Sequence, residues 1–146
     1  MKPMTQSKML TLATLALALA ALAACEDMGK LYPANPQAEA RGEMIAHFTS
    51  YGTDHGALEI VVAGGERLNG KYEPSPIGAP FGNVFKAVYG PYSVLPTAAD
   101  KGTPTIASLT GTGGTTMQCE FYNDDYTNHG FGACQTSLGA AYRLSY

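Results

Sequence analysis

The stretch Thr116-Met117-Gln118-Cys119-Glu120-Phe121-Tyr122 decides how this chain folds. Met117, Cys119 and Phe121 alternate with Gln118 and Glu120, the period of a strand with one face on a core and the other in water. Residues 131–136 and 141–146 read as further strands. In the last one Tyr142, Leu144 and Tyr146 share one side, and Arg143 and Ser145 the other. Three such strands in succession predict an antiparallel meander. Cys119 and Cys134 lie symmetrically about the midpoint between Tyr126 and Thr127, so a hairpin turning there sets them face to face. Directly opposed residues hold their Cβ atoms about 4.5–5.5 Å apart, compatible with a disulfide. Redox pairs favour the close Cys-x-x-Cys spacing, which is absent. The pair therefore reads as a structural staple, worth about 3 kcal/mol for a loop of this length on the chain-entropy model.

Upstream the same period returns. Residues 44–49 and 58–62 are strand candidates, the second with Leu58, Ile60 and Val62 on one face. Gly64-Gly65 suits a tight turn into residues 67–72, where Leu68 and Tyr72 point one way and Arg67, Asn69 and Lys71 the other. Gly70 falls on the apolar side, a sign that a ring or another backbone approaches there. Between residues 74 and 104, Pro74, Pro76, Pro80, Pro91, Pro96 and Pro104 break any long helix or central strand. Only residues 83–89 look regular in that segment and are expected as a strand. Residues 105–109 give a further strand, and Gly111 to Gly114 a loop. Seventeen glycines, nine prolines and nine tyrosines without tryptophan agree with short strands and many turns. The expected fold is all-β: one antiparallel sandwich or open barrel of about seven strands over residues 43–146, with a disulfide-stapled C-terminal meander. Residues 25–42 contain Pro33 and Pro36 and no apolar period, and are expected as a flexible tether. A short helix over residues 37–41 is the alternative.

Phe81, Phe85, Tyr89 and Tyr92 form an unusual density of rings for a loop. They suit a contact surface for a partner, because aromatic side chains give large area at low entropic cost. Alternatively they fold back and cap the sheet.

The N-terminal quarter carries an address. Lys2 and Lys8 precede an apolar run over residues 9–22, which ends in Leu22-Ala23-Ala24-Cys25 before Glu26 and Asp27. This stretch resembles the lipobox of bacterial lipoproteins. The resemblance implies diacylglyceryl transfer to the Cys25 sulfur, removal of residues 1–24 and acylation of the new amino group. Several acyl chains hold a protein on a membrane where one does not. Glu26, where aspartate would favour inner-membrane retention, implies sorting to the outer membrane, periplasmic leaflet. The competing readings are a retained transmembrane anchor and a plain secretory signal followed by a buried cysteine. Lipid on Cys25 accounts for the odd cysteine and leaves Cys119 and Cys134 as a pair in an oxidising compartment.

Other chemistry is thinly represented. Without Lys2 and Lys8 the mature chain carries seven basic and twelve acidic residues, a net charge of -5 that disfavours nucleic acid as a partner. Residues 123–129 gather Asn123, Asp124, Asp125, Asn128 and His129, oxygen-rich as calcium prefers. The alternation and closing glutamate of a calcium loop are missing, so a solvated turn is expected. Asp54 and His55 read as a turn in the same way. His47, His55 and His129 accompany no Gly-x-Ser-x-Gly elbow around any serine, and no zinc spacing occurs. Gly111-Thr112-Gly113-Gly114 lacks the lysine and helix of a phosphate cradle. Neither a metal nor a cofactor is expected, and no catalytic residue is assigned. The layout looks like that of small bacterial lipoproteins with a cysteine-paired final segment. The expectation is a membrane-anchored, non-catalytic module that binds or braces another envelope protein or a cell-wall polymer. The alternatives are an inhibitor of lysozyme type or a phage-exclusion factor using the tip at residues 124–129, and an enzyme with a scattered site.

Overall fold

A computed structural model describes residues 26–52, 54–91, 102–124 and 129–146. Eight strands follow one another around a closed antiparallel barrel. They are β1 (Glu26–Pro33), β2 (Met44–Ser50), β3 (Gly56–Val61), β4 (Arg67–Pro74), β5 (Thr103–Gly111), β6 (Thr116–Asp124), β7 (His129–Thr136) and β8 (Ala141–Ser145). Each strand pairs with the next, and β1 closes on β8 through rungs such as Leu31 to Leu144. Closure leaves no unpaired sheet edge within the wall. Among the described residues two short helices interrupt the meander, α1 (Pro36–Glu39) and α2 (Asn83–Tyr89).

An eight-stranded barrel is just wide enough for side chains to fill it. Here Leu31, Met44, Leu58, Ile60, Leu68, Leu109, Met117, Phe121, Tyr142 and Leu144 are fully buried, and they come from all the strands but β7. β7 adds Cys134, whose sulfur is bonded to that of Cys119 across the rung predicted for them, with Cα atoms 4.1 Å apart. The all-β expectation and the staple both hold.

Residues 26–42, expected as a tether, are instead wall and cap. Gly29 and Leu31 point inward from β1 while Lys30 and Tyr32 point out. The alternation escapes notice because Gly29 has no side chain and the first inward position is Asp27. This strand is the eighth, and it closes a sheet expected to stay open. Beyond it Asn35 caps α1: its Oδ1 accepts from the Ala38 and Ala141 amides and its Nδ2 donates to the Gly139 carbonyl. The cap sets Ala38 into the core at this end of the barrel.

The Gly64-Gly65 turn forms as expected, with both residues at positive φ, 102° and 94°. Gly70 also behaves as predicted, because a Cβ there would land on the Ser108 carbonyl oxygen and 2.9 Å from the Leu109 Cα. Residues 83–89 are not a strand but the helix α2. Val84, Phe85, Val88 and Tyr89 recur at the spacing of one helical face, and Asn83, Lys86 and Ala87 take the exposed side.

The barrel has two unlike ends. At one, α1 and the tight turns at residues 62–66, 111–115 and 136–140 close the wall. At the other lie the start of β1, residues 51, 52, 54 and 55, residues 75–91 with α2, and Tyr146.

Candidate functional site

Two places gather polar and aromatic groups beyond the needs of a small core. The first is the strap that α2 makes across the outside of β6 and β7. Phe85 is only 2 % exposed. Its ring lies 5.7 Å from that of Tyr122, 6.0 Å from Phe131 and 5.7 Å from Tyr89, while Phe81 packs 5.3 Å from Tyr122. Phe85, Tyr122 and Ala133, with Phe81, Val84, Val88 and Phe131 packed against them, form a second apolar core on the outer wall. Beneath the strap sits Glu120, 5 % exposed, on the outward face of β6. Its Oε2 accepts from the amides of Gly82 (2.9 Å), Val84 (3.0 Å) and Phe85 (3.2 Å). A carboxylate on the first amides of a helix satisfies donors that have no partner within it.

The expected contact surface is therefore divided by the fold. Phe85 belongs to packing, Phe81 is half-buried beside it, and of the three rings among the described residues only Tyr89 is exposed. Tyr92 lies outside the described residues. The capping alternative describes Phe81 and Phe85 correctly, because a small outer sheet face with Tyr122 and Phe131 on it must be covered. Tyr89 donates from its hydroxyl to the Gly132 carbonyl at 3.1 Å, and the Arg143 guanidinium lies 5.9 Å from its ring centre. Burial raises the Tyr89 hydroxyl pKa above its usual value, and the charge of Arg143 opposes the rise. Burial, then the Glu120 carboxylate, also raises that of Tyr122. Arg143 in turn stands opposite Tyr32 on the β8–β1 ladder, so Tyr89, Arg143 and Tyr32 form an exposed aromatic and cationic row.

The second place is the mouth of the barrel at the end where β1 begins. Phe48 is its hub, with ring centres 5.8 Å from Tyr72, 5.8 Å from Phe121 and 4.5 Å from Tyr146. The tips of these rings are polar. The Tyr72 hydroxyl is 3.0 Å from Ser50 Oγ, and the Tyr146 hydroxyl donates to Asn123 Oδ1 at 3.3 Å. With Asp27 they enclose about 30 Å³. A water molecule needs about 10–15 Å³ of such space, so the mouth has the dimensions of a hydration site.

The remaining candidates are scattered. His47 lies on the outer wall, its Nδ1 3.2 Å from Glu26 Oε1. His129 Nδ1 is 3.3 Å from the Tyr146 carbonyl oxygen. Ser108 donates to Gln118 at 2.7 Å. Asp54 and His55 occupy the β2–β3 connection, where Asp54 has a positive φ of 66°. Among the described residues no cluster of three histidine, cysteine or carboxylate side chains is placed to hold a metal. The lipobox and Cys25 lie outside the described residues, as do residues 125–128 at the β6–β7 tip.

Glu120 and Arg143 went unnoticed in the sequence, where each is simply the polar residue of an alternating strand. The helical spacing of Val84, Phe85, Val88 and Tyr89 is the signal that would have found the strap, and with it the need for an anchor on the wall. No family model, curated protein or solved structure matches this chain.

Proposed function

We propose that this chain is a lipid-anchored envelope module that binds or braces another envelope component, protein or cell-wall polymer, through the outside of its barrel. The reading is carried by the cysteine pattern: Cys119 and Cys134 are bonded to each other, leaving Cys25 of the Leu22-Ala23-Ala24-Cys25 stretch to take the acyl group. The filled interior supports an external mode of recognition, because buried side chains occupy the space in which larger barrels hold ligands. The row of Tyr89, Arg143 and Tyr32 is the best contact surface on the described wall. Tyrosine and arginine dominate interface energetics, and these residues present two rings and a cation side by side.

Metabolic labelling with alkyne palmitate tests the anchor: label is expected on the wild type and not on Cys25→Ala. Crosslinking in cells tests the surface. The combined Tyr32→Ala, Tyr89→Ala and Arg143→Ala variant is expected to fold and to lose the crosslinked partner. An unlabelled wild type ends the anchor reading, and an unchanged crosslink pattern ends the role of the row.

A further inference from the structure

Glu26, the residue that follows Cys25, already stands in the barrel wall, in register with Thr49 of β2. Consecutive Cα atoms are about 3.8 Å apart, and directly opposed antiparallel residues about 4.5–5.5 Å. A lipid on Cys25 is thus attached one residue from the first rung of the β1–β2 ladder, with no spacer between barrel and membrane. The end that meets the lipid is decided by that adjacency. It is the end that carries Tyr51, Gly52, Asp54 and His55 and the segment that leaves β4.

That end bears conspicuous exposed apolar side chains. Tyr51, two residues beyond Thr49, is 62 % exposed, Ile77 in the β4–α2 segment is fully exposed, and Met28 on the outward face of β1 is 70 % exposed. Of the carboxylates nearest the anchor, Asp27 lines the barrel mouth, and Glu26, whose side chain is 62 % exposed, stands at the rim with its Oε1 3.2 Å from His47 Nδ1. We propose that the acylated barrel rests end-on upon the phospholipid surface, with Tyr51 and Ile77 seated at the boundary between headgroups and acyl chains and Met28 at its rim. The inference rests on acylation of Cys25. The occupant is a zwitterionic phospholipid surface. A mature chain of net charge -5 gains nothing from anionic lipid, whereas exposed apolar and tyrosine side chains partition into the interfacial layer. The same seating points α1 and the tight turns away from the membrane and leaves the wall row of Tyr89, Arg143 and Tyr32 accessible from the side.

The full-length, natively processed protein is reconstituted into vesicles of phosphatidylethanolamine and phosphatidylcholine. Single variants Tyr51→Cys, Ile77→Cys and Leu138→Cys carry a bimane label. All three positions are exposed, and Leu138 lies in the β7–β8 turn at the opposite end. Spin-labelled lipid is expected to quench bimane at positions 51 and 77 several-fold more strongly than at 138. Intact mass and vesicle flotation report the anchor separately. An acylated protein that floats but shows equal quenching at all three positions overturns the seating alone. A protein without acyl mass that does not float overturns the anchor, and the seating with it.

Discussion

The Phe85 amide donates to the Glu120 carboxylate at 3.2 Å, and the same carboxylate oxygen receives the amides of Gly82 and Val84. A side chain of the barrel wall thereby starts the helix that covers it. Neither partner is complete alone: α2 has only seven residues, too few to persist by itself, and the Glu120 carboxylate is buried by the segment it holds.

Replacing Glu120 with alanine removes three charge-assisted acceptor contacts. Hydrogen bonds to charged groups contribute about 1.5–3 kcal/mol each, so a loss of at least that size is expected in urea unfolding. Faster hydrogen exchange at residues 82–89 should accompany it, while strands β1 to β4 keep their protection. Glu120→Gln retains one acceptor oxygen without the charge and should fall between. An unchanged α2 exchange pattern in Glu120→Ala would refute the anchoring role.

The Tyr142 hydroxyl is buried with no hydrogen-bond partner among the described residues. An unsatisfied buried hydroxyl costs about 1–3 kcal/mol, so Tyr142→Phe is expected to hold or raise the unfolding midpoint. Thermal melts compared at pH 7 decide the matter, and a marked drop would mean that the hydroxyl is satisfied after all.

Burial is the first cause of the raised hydroxyl pKa of Tyr89, Tyr122 and Tyr142, with Arg143 and Arg41 opposing it at Tyr89 and Tyr142. The folded state then holds these protons more tightly than the unfolded chain, whose tyrosines titrate near pH 10. Stability is fully present below pH 10 on this account and falls as pH rises through the elevated folded values. Urea midpoints measured between pH 8 and 11.5 should be flat at first and then decline. Tyr142→Phe should make the decline shallower.

Gly70→Ala places a methyl group against the Ser108 backbone, where no rotamer change relieves it. Overpacking costs about 1–3 kcal/mol in ordinary cores and more where the obstacle is main chain. Loss of soluble folded protein, or a large fall in midpoint, is expected. A midpoint within experimental error of the wild type would mean that the β4–β5 ladder is looser than its register implies.

Cys119 and Cys134 close a loop of sequence separation 15. With the acylation proposed for Cys25, a thiol count on the denatured, unreduced processed protein is expected to find no free thiol. Reduction of the pair, or its replacement by two alanines, should cost about 3 kcal/mol, read as a shift in urea midpoint.

Sequence alone determined the all-β class, the strands β2 to β8, the half-buried period of β3, β4, β6 and β8, and the cysteine pairing. Each of these is written in local alternation or in symmetry about a turn, and needs no knowledge of what lies across the sheet. The backbone crowding at Gly70 was legible for the same reason: a missing side chain on an apolar face announces a neighbour. Closure of the barrel was not legible, because β1 shows water Lys30 and Tyr32 and offers the core only Gly29 and Leu31, and its strand character appears only when β2 and β8 are on either side. The strap was hidden differently. Phe85 and Tyr89 fit an exposed contact surface as well as a covering helix, and only the position of Glu120 on the wall, reached by a chain that returns from 35 to 38 residues away, decides between them. Short-range periodicity shows which side of a strand is dry. Whether a sheet closes, and which surface a loop must cover, depends on partners distant in the chain, and those the tertiary structure alone brings together.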